Sequence, residues 1–398
     1  MVSNQLDLSS GPYGEDFVKR QREPKVPVRH GRAITANDVS ECFTQTFSVL
    51  EDALRSEYQW VLPVLDKVAK GQRASAARPA GLSVHQIVDI VTLAEQVGVW
   101  KMWASRGRVT YDFNEHFAAE LYRSSSDKIP GSIFRHLPHI NPLVVLPDPW
   151  PISGGLVRGF YVYGVRKVEN GLLQKVFTDD NWDYLGLLFV VDLLDDETGE
   201  VLSQTHVEAM LPTSRDRFTL KDAVQFSTVE EVDPRVQGKV SEICTELLRP
   251  AMSMLLYLCC DNRDMAEPPV AQPSVHRRAK VKRDRAPFFV EVGWRLGPKL
   301  HALRRQAGRV QDGESIPSGV EQAPHQRSGH FKRVLFGPKR SQETTKFIAP
   351  YWVRLDLLPD GEDPITTVVA VEEQRHDPLR RRGLKTIVRR TSARGPQP

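Results

Sequence analysis

Apolar residues recur at Phe43, Phe47, Leu50, Leu54, Tyr58, Val61 and Leu65, three or four positions apart. This period lines one face of a single long amphipathic helix, which Thr35 or Asn37 is placed to cap and Pro63 to kink. The small residues from Gly71 to Gly81 read as a linker. Ser83 followed by Gln86 is a capping box for a second helix, with Ile87, Ile90, Val91, Ala94, Val97 and Trp100 on its apolar face. A short third helix is predicted from Asn114 to Arg123.

The pattern changes at Pro130. The stretch from Ser132 to Pro151, SIFRHLPHINPLVVLPDPWP, holds five prolines, which argues against a long helix or a central strand. LVRGFYVYGVRKV and YLGLLFVVDLL then read as strands, and DDETGE turns the chain back into VLSQTHVEAML as a hairpin. A short helix is expected from Thr219 to Val229 and a longer one from Pro234 to Cys260. The longer helix has Val240, Ile243, Leu247, Leu248, Met252, Leu255 and Leu256 on one face, and its last turn is apolar all round, which predicts burial. FFVEVGWRLG, TTKFIAPYWVRLDLL and ITTVVAVEE complete the strand candidates.

The expected class is α+β: a helical N-terminal region, a mixed and mainly antiparallel sheet with a backing helix, and a C-terminal His/Arg hairpin. The expected division is a disordered arm (1–33), a helical region (34–130) and an α+β core (131–260). A polar basic linker with one strand (261–323), the His/Arg motif with closing strands (324–374) and a basic disordered tail (375–398) follow.

Charge sharpens this division. The chain of 398 residues has a net charge of +4, yet beyond Gln374 eight Lys/Arg face the single acid Asp377, so the rest is slightly acidic. The first residues lack the charged and apolar regions of a signal peptide, and MSMLLYLCC is too short to span a bilayer, so a cytoplasmic protein without membrane contact is expected. Cys42, Cys244, Cys259 and Cys260 form no CxxC pair, which suits a reducing compartment and buried thiols.

The densest chemistry is PHQRSGHFKRVLFGPKR, Pro324 to Arg340. His325 and His330 are five apart, on opposite faces of a strand and out of helical register, so no metal site is expected. His136 and His139 sit among prolines that prevent a shared helical face, and the acids of TDDNWDY read as a solvated turn. There is no GxSxG elbow, no Walker motif and no dinucleotide fingerprint, so no cofactor is expected. Three readings stay open. Arg327, Lys332, Arg333, Lys339 and Arg340 around Phe331 and Phe336 suit polyanion or RNA binding, with guanidinium groups on phosphates and rings on bases. His330, perhaps with His325, has the residue type for a metal-independent nuclease, with Arg327 and Arg333 as a phosphate clamp. The third is an interaction module without nucleic acid. NPLVVLPDPW, with Leu143, Val145, Pro147 and Trp150, presents a proline-stiffened frame for an extended peptide or a rigid connection between helices and sheet.

Three segments together carry a resemblance: LPHINPLVVLPDPWP (Leu137 to Pro151), MLLYLCCDNRDM (Met254 to Met265) and PHQRSGHFKRVLFG with KFIAPYWV (Pro324 to Val353). The chain resembles, over roughly residues 40 to 355, a family of bacterial mobile-element proteins that includes a type V-A anti-CRISPR protein. The third segment is the most specific, a His-x-Arg-x-Gly-His-aromatic-Lys core in which many members have Trp where this chain has Phe331. The resemblance implies a co-translational silencer: the body recognises a nascent polypeptide of the CRISPR effector, its mRNA is lost, and the basic motif contacts RNA or ribosome. It implies His325, Arg327, His330 and Arg333 as functional residues.

Overall fold

The computed structural model describes residues 35–69, 82–124, 130–139, 141–153, 155–167, 173–176, 182–195, 198, 201–215, 217–227, 234–266, 287–303, 325–338 and 342–353. The N-terminal arm, the Gly71–Gly81 linker, the HRRAKVKRDR cluster, the ITTVVAVEE strand and the basic tail lie outside the described residues.

Helix α1 (Ala36–Glu57) starts at Thr35, whose side chain caps Asp38 N–H while the Asp38 carboxylate returns to the Thr35 N–H. The predicted long helix is two. Helix α1 ends at Glu57, a 3-10 turn covers Gln59–Val61, and α2 (Leu62–Ala69) begins just before Pro63. Proline is tolerated in that first turn because its missing N–H is one the helix leaves unpaired anyway. Helix α3 (Val84–Ser105) has the expected Ser83/Gln86 capping box. Phe43, Phe47, Leu50, Leu54, Val61, Leu65, Ala94, Val97 and Trp100 meet in one core.

Strand β1 (Val109–Phe113), which the helical reading of this region passed over, leads into α4 (Glu115–Arg123), capped by Asn114. The sheet is completed by β2 (Leu143–Ile152), β3 (Gly155–Lys167), β4 (Leu173–Val176), β5 (Tyr184–Leu194), β6 (Val201–Leu211), β7 (Met265–Ala266) and β8 (Phe288–Val292). Their order is β6-β5-β3-β2-β1-β8-β7, with β4 also on β3. Strands β1, β2 and β8 run parallel, and the other pairs are antiparallel. Helices α1–α3 cover one face. Helix α4, α5 (Leu220–Ser227) and α6 (Pro234–Leu258) pack on the other. A sheet covered on both faces explains the near-continuous apolar runs of β2 and β5.

The proline-rich stretch departs most from expectation, because β2 is an interior strand. Its pairing with β1 uses only Leu143, Val144 and Val145, ahead of the prolines. The ladder with β3 breaks between Val145 and Trp150, so Pro147 and Pro149 fall in the irregularity, and pairing with β3 resumes at Trp150. The segment from Met265 and the FFVEV strand likewise belong to this sheet as β7 and β8.

Polar groups are buried between α1, α3 and the sheet. Arg158 Nε donates to Asp192 at 2.7 Å, and Gln204 Nε2 donates to the other Asp192 oxygen at 3.0 Å. The Tyr163 hydroxyl donates to Glu208, its ring crossing Gly186 where a Cβ would collide at 2.3 Å. Burial, then the Glu95 carboxylate, raises the Glu208 carboxyl to about 8, while burial lowers His206 to about 4.

These shifts have opposite signs in stability. A neutral buried histidine is costly as pH falls from 6.5 towards 4, whereas a raised carboxyl pKa costs stability as pH climbs from 4.5 towards 8. The unfolded His206 titrates around pH 6.5 in both proteins alike, so in thermal melts from there to pH 8 the wild type should lose stability relative to Glu208→Gln. An equally steep decline in the variant would remove Glu208 as its source.

Candidate functional site

The signature motif folds as two short antiparallel ladders. Strand β9 (His325–Arg327) pairs with β12 (Tyr351–Val353), and β10 (His330–Phe336) pairs with β11 (Gln342–Ile348). The chain breaks at Ser328–Gly329, so His325 and His330 stand in separate ladders. Gly329 donates its N–H to the buried Glu120 carboxylate of α4 at 2.9 Å. A Cβ at Gly329 would lie 2.7 Å from the Phe347 ring and 3.3 Å from Glu120 Oε1, so the close approach requires glycine.

Strand β11 is fastened from the turn that follows α6. Asn262 Nδ2 donates to Phe347 O at 2.9 Å, and Phe347 N–H donates to Asn262 Oδ1 at 3.0 Å, as a neighbouring strand would. The Thr344 hydroxyl donates to Asp261 at 2.6 Å. The Phe347 ring packs edge-on against Phe117 and Tyr257, with centroids 5.7 and 5.5 Å away. The Phe331 ring lies tilted against it, with centroids 5.3 Å apart. The apolar last turn of α6 is therefore buried beneath the hairpin as well as the sheet. Burial pushes the Cys260 thiol up to about 12 and Cys259 well above its ordinary value, which keeps both protonated.

Cross-strand register sorts the motif into two faces. Phe331, Arg333 and Leu335 oppose Phe347, Thr345 and Glu343, and Arg333 forms an ion pair with Glu343. The other face holds His330, Lys332, Val334 and Phe336 opposite Ile348, Lys346, Thr344 and Gln342. Two exposed lysines, Lys332 and Lys346, are thus directly opposed, an arrangement that disfavours the free hairpin. Phe336, five positions from the core-packed Phe331, is 46% exposed on this face.

The predicted residues are therefore divided. Lys332 and His330 share the lysine face, His330 half-buried at its base and, among the described residues, without a hydrogen-bonded acid. Arg333 and Phe331 are on the core-facing side. Arg327 is exposed on β9 and donates to the Tyr351 hydroxyl at 3.3 Å. Lys339 and Arg340 lie outside the described residues, as do the side chains of His325 and Pro147. Lys346, Glu120 and Asn262 escaped the sequence reading; Lys346 was recoverable only from the strand register.

The peptide frame is corrected. Leu143 and Val145 are fully buried under α1–α3, and Trp150 is 7% exposed in the opposite core, so these side chains offer no open apolar groove. Among the described residues, no three His, Cys, Asp or Glu side chains gather to hold a metal ion, and no helix is long and apolar enough to cross a membrane.

The structure is thus an α+β protein whose C-terminal hairpin has a buried root and an outward face carrying two lysines and Phe336. Residues 111–355 match the model of the AcrVA2-like family, anti-CRISPR type V subtype A2, and the chain belongs to that family. A crystal structure of AcrVA2 is similar at 15% identity, covering 78% of this chain and 99% of that chain, with a TM-score of 0.46. No curated protein sequence matches.

Fastening by Asn262 makes a local prediction. Asn262→Ala removes both hydrogen bonds to the Phe347 backbone and should cost about 1–3 kcal/mol. Hydrogen exchange should accelerate across β10 and β11 while β3 and β5 stay protected. Uniform acceleration through the sheet, or none, would contradict a specific fastening role.

Proposed function

We propose that this protein is an anti-CRISPR-type silencer whose body recognises a nascent polypeptide of the CRISPR effector and whose β10–β11 hairpin contacts the accompanying mRNA or ribosome, leading to loss of the message. Family membership supports the effector as the protein target. The observation that carries the nucleic-acid part is the opposed Lys332/Lys346 pair on the same hairpin face as exposed Phe336, with Val334 between them. Two like charges held at cross-strand distance are relieved by a phosphate between them, and the neighbouring ring offers a stacking platform for a base. Arg327, exposed on the adjoining ladder, adds a guanidinium for a second phosphate. Arg333 contributes less in this reading, because Glu343 already neutralises it.

Single-stranded RNA binding, followed by fluorescence anisotropy across a salt series, tests the hairpin. The double variant Lys332→Ala/Lys346→Ala should bind more weakly, and its slope of log affinity against log salt should be shallower by about 1.4, the release expected for two phosphate contacts. Unchanged affinity and slope would move RNA contact away from this face.

A further inference from the structure

Strand β6 is the last strand on its side of the sheet and pairs only with β5. Its outer edge is occupied at one end, where Met210 N–H donates to the Ser227 hydroxyl at 3.0 Å and that hydroxyl donates to Met210 O at 3.1 Å. Backbone groups along an antiparallel strand face its partner and face away in alternation, so those of Glu208, His206 and Gln204 turn outward as those of Met210 do. The backbone groups of His206 and Gln204 meet no partner among the described residues. Exposed edges are usually guarded by proline, lysine or a bulge. Strand β6 has no proline or lysine, and its register shift falls near its start, beside Leu202, which is 50% exposed.

Helix α3 reaches over this edge. Trp103 touches the interior of the sheet, its ring 5.8 Å from that of Tyr161 on β3 and its Nε1 donating to Val109 O on β1 at 2.9 Å. About two turns earlier, the Glu95 carboxylate acts on Glu208 of β6. The helix thus crosses the sheet from β1 towards β6. Met102, Val99, Glu95, Val91, Val88 and Val84 follow one another in steps of three and four residues along that sheet-facing side. Met102 and Val99 are 0 and 2% exposed, whereas Val88 and Val84 reach 46 and 55%. The stripe therefore stays apolar where no strand lies beneath it, and Val84 stands about 16 Å along the helix from Glu95.

We propose that the edge of β6, beneath the projecting end of α3, takes one extended segment of the nascent polypeptide as a further strand. Uncharged, apolar side chains at alternate positions of that segment cover Val84 and Val88. This deepens, and rests on, the reading that the body recognises a nascent polypeptide. A chain leaving the ribosome offers linear sequence and unpaired backbone rather than a folded surface, and strand addition uses both. The slot is close to neutral: Glu208 is the single Asp, Glu, Lys or Arg of β6, and the Tyr163 hydroxyl binds it. It therefore suits an uncharged segment better than this chain's own basic tail. A second copy does not fit. Antiparallel self-pairing about a two-fold axis leaves both helical layers on one side of the joined sheet, and the two projecting ends of α3 would meet in the same space.

The test screens the full chain against overlapping short synthetic peptides that tile the type V CRISPR effector. At least one peptide should bind. Val84→Lys/Val88→Lys should weaken it by at least about tenfold, with thermal melts unchanged because both valines are exposed. Amide exchange at Gln204 and His206 should slow on binding. N-methylation along the bound peptide should abolish binding at every second residue, the signature of a ladder. A bound peptide that ignores both lysines and leaves both amides unchanged would overturn the slot while the peptide reading stands. No bound peptide would overturn both. Amides at Gln204 and His206 already protected in the free protein would also overturn it, because another segment of this chain then fills the edge.

Discussion

The C-terminal arm depends on how Phe347 is held. Its ring closes an aromatic cluster with Phe117 and Tyr257, and both of its backbone polar groups are taken by the Asn262 amide. The neighbouring Gly329 approaches so closely that a methyl group would strike the same ring, and its N–H is bound by buried Glu120. Helices α4 and α6 thereby meet the signature motif at one point. An aromatic ring between two helices fixes position, and the paired amide fixes strand register, so the direction in which each hairpin side chain points follows from both.

That register gives the motif its chemistry. Read as a string, its basic residues are one cluster; folded, Arg333 is neutralised by Glu343 while Lys332 faces Lys346. The hairpin thus gathers its unpaired lysines on one face and packs Phe331 and Phe347 towards the body from the other, while Thr344 ties the lysine face to Asp261. The body is separately stiffened by a sheet packed between two helical layers, with the Arg158–Asp192 pair buried in it. A rigid body with a firmly rooted cationic arm suits recognition of two linked partners, and the family to which the chain belongs agrees with a protein target.

The sequence carried the α+β class, the caps at Thr35 and Ser83, the short helix from Asn114, the β5–β6 hairpin and the α6 helix, because each rests on local periodicity or a cap. What it hid was non-local. The prolines of 138–151 argue against a central strand, and only the limited β1 pairing explains how β2 becomes one. For the same reason Leu143, Val145 and Trp150 read as a frame for a peptide although both faces of the sheet bury them. The site was half legible: composition singled out the segment, but Lys346, Glu120 and Asn262 lie 14, 209 and 85 positions from Lys332, Gly329 and Phe347, which only the folded chain brings to them.

The most direct measurement of the central claim is affinity capture of the tagged protein from its native cells, with and without ribonuclease, identifying both protein and RNA. The account predicts ribosomal proteins together with one enriched message, both lost after ribonuclease treatment, and the message names the target. A single protein partner recovered without RNA and indifferent to ribonuclease would contradict it.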